Sequence, residues 1–385
     1  MTGKGGTEMN LRRVKALAVK EFIHVIRDPI SLGMAIALPV LLLVLFGYAL
    51  TLDVNNVPMV VWNQDKSRIS EDFLLNFKNS KYFNIIAYYG NYGDIDECFD
   101  HDKATMAMVI HKDFSKYVKS GGEAPLQLLV DGSDANTAMI SMGYVNTVVS
   151  QYNLKLMNDR LAKIGVKEMM PVDVRPRIWF NEDLKSRNFI IPGLIAIILS
   201  IVSALITSLT VAKEWEKGTM EQLISTPVKG GEIILGKFIP YFVIGYIDLS
   251  IAVIMGLFLF HVPFRGNIFL LFALSGLFLT GVLMLGMQIS IALKNQLLAS
   301  QIAVISTFIP AFILSGFMYP ISSMPKAIQV ITHIVPARYF IVILKGIYLK
   351  GVGIGALWTQ ALFLFLFAAL MIFLANKKFK KKVAI

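Results

Sequence analysis

The sequence predicts a polytopic α-helical membrane protein: six spanning helices, with an extracytoplasmic α/β domain inserted between the first and the second. Three observations carry this. The chain of 385 residues is 55% hydrophobic and only 16% charged, against about 45–50% and about 25% in an ordinary soluble chain. Its apolar residues gather into runs of about 20, the length that crosses a bilayer as a helix. One long stretch, 53–188, has instead the composition of a soluble domain.

Taken in order, residues 1–29 form a cytoplasmic segment built around an amphipathic helix. Leu11, Val14, Ala18, Phe22 and Val25 share one face of 10–28, while Arg12, Arg13, Lys20, His24 and Arg27 lie largely elsewhere. A basic amphipathic helix of this kind lies in the membrane interface. It serves either as a topogenic anchor or as an elbow that docks a cytoplasmic partner. Asp28-Pro29 ends it, and Pro29 is tolerated in the first turn of the next helix. That next helix, 30–52, is the first span. Its apolar run exceeds the roughly 7–15 residues of a signal-peptide core, so it is not read as a cleaved leader.

Within 53–188, the stretches 57–62, 82–88, 105–110, 126–130 and 174–180 read as short strands. Helical stretches near 69–79, 93–102 and 133–166 separate them, the pattern of an α/β sandwich. Val130-Asp131-Gly132-Ser133 reads as a strand end, a turn and a helix N-cap supplied by Ser133 or Asp134. Asp131 and Asp134 are therefore turn residues rather than catalytic acids.

Residues 189–376 make a five-span core: 189–211, 238–260, 268–293, about 299–319, and 356–375. Residues 320–350 are apolar enough for a further span. However, Pro320, Pro325 and Pro336 interrupt any helix, and Lys326, Arg338 and Lys345 would be costly in lipid. An outer re-entrant segment fits better, because irregular backbone at membrane depth must be buried in protein. The remainder, 377–385, is a basic tail.

The net charge of +11 follows this topology and points to no nucleic acid. With six spans, sixteen Lys and Arg fall in the short pieces on the side of the termini and five in the short pieces opposite. That bias puts both termini in the cytoplasm. Cys98 is the single cysteine, which excludes an internal disulfide or a cysteine cluster. The five histidines form no ligand pair at helical spacing, so no metal site is expected.

Three features inside the core bear on chemistry. Gly231 to Lys237 imitates a phosphate-binding loop, but Phe238 stands where the motif needs a Ser or Thr for magnesium, and a span follows in place of a strand–turn–helix. Nucleotide binding is rejected there, so an ATP-driven protein would need its ATPase on another chain. Ser200, Ser203, Thr207 and Thr210 share a face of 189–211, suited to helix packing or to lining a path. The inner loop 212–237 holds Glu214 to Pro227, with Thr219 and Gln222 spaced as a capping box and Thr226-Pro227 as the stop. The result is a short charged helix held between two spans, able to act as a lever.

Asp248 is the one acid deep within a span, about ten residues into 238–260 at about 1.5 Å per residue. An acid there costs about 2.5–3.5 kcal/mol on insertion scales. It is a structural partner bonded near Tyr246 or to Gln288, a lining of the substrate path, or a proton relay.

The chain resembles the type-2 ABC exporter permeases of the drug-resistance class with a large extracytoplasmic domain. The resemblance covers nearly the whole length. It rests on Lys20-Glu21, Arg27-Asp28-Pro29, Asp131-Gly132-Ser133 with Asn136-Thr137-Ala138, Phe189 to Gly193, and Glu214 to Pro227. Asn295-Gln296, Leu314 to Phe317, Met324-Pro325 and Pro336 to Phe340 extend it. It implies two copies of the permease, or two related permeases, above two ATPase subunits that hold ATP and magnesium, with no cofactor in this chain. It further implies an elbow helix at 10–28, outer re-entrant helices within 320–350, and a coupling helix within 214–227. The residues so assigned to ATPase coupling are Glu214, Glu216, Lys217, Gly218, Thr219 and Glu221, with Arg27 and Asp28.

The expected function is the permease subunit of an ATP-driven exporter in the cell inner membrane, without a catalytic site. It would move a drug-like or lipid-like amphipathic molecule out of the cytoplasm or the inner leaflet. Membrane lipid and a periplasmic adaptor are further candidate partners. Two rivals are weighed. A membrane-tethered sensor with a ligand-binding outer domain needs a cytoplasmic output domain, and none of the inner pieces is long enough. An intramembrane enzyme needs paired polar residues at depth, and Asp248 stands alone.

Overall fold

The computed structural model describes residues 10–50, 56–133, 135–163, 180–181 and 185–383. The chain divides into two units: Met1–Thr51 with Arg177–Ile385, and Leu52–Pro176.

The first unit begins with α1 (Leu11–Arg27), capped by the Asn10 side chain, which accepts from Arg12 N. Asp28 leaves the helix in an extended conformation, as a residue before proline must. Helix α2 starts at Pro29–Leu32, passes through a π turn at Gly33–Ala37 and continues as Leu38–Ala49. The face of α1 that packs inward differs from the expected one. Val14, Glu21 and Val25 are buried, while Leu11 and Phe22 are exposed. Burying Glu21 on this face requires a charged partner, and the partner sits on a later helix.

The second unit is an α/β layer structure. Strand β1 (Val57–Asn63) is followed by α3 (Arg68–Lys78), β2 (Phe83–Tyr88), α4 (Tyr92–Asp100) and β3 (Met106–Ile110). Helix α5 (Phe114–Ser120), β4 (Leu126–Val130) and α6 (Ala135–Lys163) complete it. The strand order is β2-β1-β3-β4. β1 runs parallel to β2 and β3, and β4 pairs antiparallel with β3. Side chains alternate across the sheet. Val57, Met59, Val61, Met106 and Met108 face a cluster with Phe73, Phe77, Phe114 and Val148, and Val60, Ala107 and Val109 face Ile95 and Cys98. Helix α5 was not expected, while the strand expected at 174–179 and the capping role of Asp134 lie outside the described residues. Asp131 behaves as turn chemistry requires, its Oδ1 accepting from Ser133 N at 2.9 Å.

The rest of the first unit is helical: α7 (Ser186–Glu216), α8 (Thr219–Ile224), and α9 (Gly230–Ile254) with a π turn at Met255–Leu259. Then come α10 (Ile268–Leu293), α11 (Gln296–Ile313), α12 (Lys326–Ile331), α13 (Pro336–Lys345) with a π turn at Gly346–Lys350, and α14 (Ile354–Val383). Among the described residues, five helices are long and apolar enough to cross a membrane: α7, α9, α10, α11 and α14. The first expected span is represented by the shorter apolar stretch Gly33–Ala49. Helix α7 is the axis of this unit, with α10, α11 and α13 packed around it.

One expected boundary changes. The span expected to reach 319 stops at Ile313, because Gly316 adopts φ +79 and Ser315 Oγ accepts from Phe317 N, turning the chain back. The segment after it is bent by 83° between Lys326–Ile334 and Pro336–Lys350. The three prolines set that shape: Pro320 and Pro325 precede short helical turns and Pro336 opens α13. The cations of this segment are partnered or exposed. Arg338 donates to Thr332 Oγ1, Lys345 Nζ lies 3.2 Å from the Phe189 ring centroid, and Lys326 is exposed.

One polar knot orders the β1 end of the α/β unit. Asp65 accepts from Ser67 Oγ, from Ser115 Oγ at 2.8 Å and from Ser115 N at 3.2 Å. Burial pushes this carboxyl up, but the hydrogen bonds from Ser67 and Ser115 outweigh it and hold the group below the usual carboxylate range. A depressed carboxyl contributes stability that is present above its unfolded value and lost as pH falls through the folded one. The full-length Asp65→Ala protein should therefore unfold at lower temperature than wild type at pH 7. The gap should close as the pH drops below the usual carboxylate range; a gap independent of pH would assign the effect to packing.

Candidate coupling site

The end of the first unit that carries α1 and α8 is held by charges brought from four sequence positions. Lys237, on α9 and 3% exposed, places Nζ 3.1 Å from Glu21 Oε2 of α1 and 3.2 Å from Glu214 Oε1 of α7. Lys20 Nζ reaches the same Glu214 oxygen at 3.0 Å. Tyr241 donates its hydroxyl to Glu21 Oε1 at 3.1 Å. Two ammonium groups thus meet two carboxylates, and the remaining Glu21 oxygen has a phenol. Beside them Lys213 Nζ contacts Asp28 Oδ2 at 2.5 Å.

Close packing brings these groups into reach. A side chain at Gly236 would meet Leu17 Cβ at 2.5 Å, so the bare backbone lets α9 approach α1. The stretch that imitates a phosphate loop is therefore a helix–helix contact: its glycine receives Leu17 and its lysine neutralises Glu21. A second tether joins the same helices. Glu232 accepts from Asn10 N at 2.8 Å and Lys229 N at 2.9 Å, and Arg13 donates to the Pro227 carbonyl.

The coupling residues named from the sequence fall into two groups. Glu214 is 9% exposed and committed to Lys20 and Lys237, so the expectation that it faces a cytoplasmic partner is corrected. Glu216 is exposed, yet its Oε1 accepts from Gln296 N at 2.7 Å and its Oε2 from the Gln296 side chain, tying α7 to the start of α11. Asp28 is engaged by Lys213. Lys217, Gly218, Thr219 and Glu221 do lie exposed on one short projection, and Arg27 is exposed on α1.

That projection is built differently from expectation. Gly218, at φ +70, is the N-cap of α8 and makes no side-chain cap, which displaces the supposed capping box. Thr219 Oγ1 instead donates back to the Glu214 carbonyl at 3.3 Å. Met220, 1% exposed, anchors α8 in a cluster with Val211, Ile233, Ile234 and Met287. Lys294 Nζ sits 4.0 Å from the Trp215 ring centroid. The charged cluster borders a cavity of about 360 Å³ lined by Lys20, Glu21, His24, Lys213, Glu214 and Gln296 among others. Glu214 Oε2, facing this region, is buried without a hydrogen bond.

The candidate path residues are not brought together. Thr207 donates to the Ser203 carbonyl at 2.7 Å and packs where a side chain at Gly286 would stand. Ser203 is buried, and Thr207 serves the α7–α10 contact. Gln288 Nε2 donates to the Met371 carbonyl at 2.8 Å, which corrects its expected pairing with Asp248. Glu21, Lys237, Tyr241 and Gln296 were not assigned from the sequence. One sign was readable: Glu21 lies seven residues after Val14 and four before Val25 on the apolar stripe of α1.

Several long apolar helices, two of them tied by ion pairs to an N-terminal helix, describe a multi-pass membrane protein. Residues 29–377 match the model of the ABC-2 family transporter protein, and the chain belongs to that family. It is 36% identical over 376 residues to a protein named probable multidrug ABC transporter permease YbhS of Escherichia coli K12, covering 97% of this chain and 98% of that protein. It is 31% identical over 378 residues to probable multidrug ABC transporter permease YbhR of the same organism, covering 96% and 99%. ABC transporter G family member 20 of Dictyostelium discoideum matches at 24% over 367 residues, 94% of this chain and 50% of that protein. The protein is thus a multi-pass membrane permease of the ABC-2 family, and the family implies an ABC ATPase partner.

Removing one member of a buried ion pair leaves an uncompensated charge and costs about 3–5 kcal/mol. Lys237→Ala strands Glu21, and its purified full-length protein should lose about that much stability. Lys237→Met combined with Glu21→Gln should recover most of the loss, because no buried charge at that contact is left alone. A double variant no more stable than Lys237→Ala would show that the pair is not the source of the effect.

Proposed function

We propose that the chain is the permease subunit of an exporter that moves drug-like amphipathic molecules outward, driven by ATP hydrolysis on separate ABC ATPase subunits. The observation that carries this is the construction of α8. Lys217 at the end of α7 and Thr219 and Glu221 on α8 are exposed to a partner, Met220 seats α8 against α7 and α9, and the Glu214–Lys237–Glu21 cluster ties α7, α9 and α1 together. A push on a loose loop would be lost in the loop. A push on α8 moves two long helices and the N-terminal helix as one body. The partner ATPase, holding ATP and magnesium, has to bind the two arrangements of that body with different affinity, since only differential binding shifts the equilibrium.

In this reading both termini and α8 lie in the cytoplasm, and the α/β unit lies outside. The segment 320–350 enters the membrane from the outer side and returns. The sixth span is then the helix from Pro29 to Ala49. The permeases pair as two copies or as two related chains. The names of the Escherichia coli relatives support a multidrug substrate, and the buried ion cluster beside the cavity at α1 and α7 supports entry near the inner leaflet.

Two measurements test the proposal. Glu221 has no intramolecular ion pair among the described residues, so Glu221→Lys should insert and fold normally, and it should uncouple ATP hydrolysis from export. Unchanged export per ATP hydrolysed would remove α8 from the coupling role. For topology, Lys116→Cys and Ser225→Cys are made in a Cys98→Ala background, both positions being exposed. An impermeant maleimide should label Lys116→Cys in intact cells and Ser225→Cys only after permeabilisation; the reverse pattern inverts the orientation.

A further inference from the structure

Asp248 stands at the middle of α9, 2% exposed, with Oδ1 buried and without a hydrogen bond. The polar side chains that a structural role would use are occupied elsewhere. Gln288 donates to the Met371 carbonyl, Tyr246 to the Phe272 carbonyl at 3.0 Å, and Ser250 to the Tyr246 carbonyl at 2.7 Å. The carboxyl instead looks into a pocket where α2, α7 and α9 meet, lined by Pro39, Leu43, Ile195, Leu199, Ile251 and Met255 among other apolar side chains. No base and no hydroxyl lines it.

A carboxylate at membrane depth needs a counter-charge or a ring of donors, and the described residues supply neither. Water is a poor substitute. The space beside the carboxyl is about 10 Å³, at most one molecule, and a buried water requires two to four polar partners. The pocket offers the carboxyl alone.

We propose that Asp248 is the counter-charge for the transported molecule, so that the permease selects lipophilic cations over neutral molecules of the same shape. This rests on the exporter reading and deepens it by naming a substrate class. The geometry suits the task. The apolar walls match the hydrocarbon or aromatic body of such a cation, and the single acid matches its ammonium. In the present arrangement the pocket is too small for a substrate. Two of its three walls run directly to the inner device: α7 leads into α8, and α2 follows α1 across Asp28-Pro29. Because α7 and α9 move as one body, it is displacement of α2, which follows α1 across the break at Asp28-Pro29, that opens the pocket and admits the cation to the carboxyl.

The test uses two fluorescent probes of the same size, trimethylammonium-diphenylhexatriene and its neutral tert-butyl analogue, in which carbon replaces the charged nitrogen. ATP-dependent extrusion of each is followed in membrane vesicles containing the native transporter complex. Wild type should extrude the cation in preference to the neutral probe. Asp248→Asn, which keeps shape and hydrogen bonding, should lower extrusion of the cation at least tenfold and leave the neutral probe within twofold. Asp248→Glu should restore most of the cation rate, which a defect in folding would not allow. Cation extrusion by Asp248→Asn at the wild-type rate overturns the inference and leaves the exporter reading untouched; the acid is then an uncharged packing group. Equal loss of both probes overturns it as well, assigning Asp248 to the integrity of the helix junction. A wild-type protein that extrudes the neutral probe but not the cation overturns it outright. The exporter reading itself fails only where wild type shows no ATP-driven transport of any amphiphile.

Discussion

The packing of α1 on α7 and α9 depends on one contact, the ammonium of Lys237 between the carboxylates of Glu21 and Glu214. Glu21 and Lys237 are 216 positions apart in the chain. Each would be costly to bury alone, and each is tolerable only with the other. The contact therefore acts as a condition on the fold. Helix α1 packs on α9 only where Gly236 clears room for Leu17, and that same placement brings Glu21 over Lys237. Steric and electrostatic requirements select one register of the two helices.

The same logic separates surface charges from working ones. Several acids in the inner loop look equivalent in sequence. Glu214 is consumed by the cluster, Glu216 by the first turn of α11, and Glu221 is left facing outward. The division follows helical position. Glu214 lies on the side of α7 that faces α1 and α9, whereas Glu221 is one residue beyond the buried Met220 that fixes the orientation of α8.

Much of this was legible beforehand for definite reasons. Long apolar runs report spans because the lipid requirement is local in sequence, and the four described strands announced themselves by β-branched and aromatic residues between turns. What was missed is equally specific. Helix α5 is only seven residues long and is held by Phe114 and Val118 against the core, a tertiary cause with no periodic trace. The supposed capping box at Thr219 failed because Gly218 already occupies the cap in a left-handed conformation. The Glu21–Lys237 pair could not be read as a pair, since no local rule links such distant positions. An acid on the apolar stripe of α1 marked one half of it.

The central position of α7 also has a consequence for how the protein is made. It is the most apolar of the five long helices and the most enclosed by protein. Yet the chain is synthesised from the N-terminus, so α7 reaches the bilayer before α10, α11 and α13 exist. Its serines and threonines satisfy themselves within the helix, as Thr207 and Thr210 do on the carbonyls of Ser203 and Thr207. It can therefore reside in lipid unaided, and the later helices assemble on it as a template. Assembly of the C-terminal part of this unit then runs from the inside outward, with α7 in place before α10, α11 and α13 are added in order of translation.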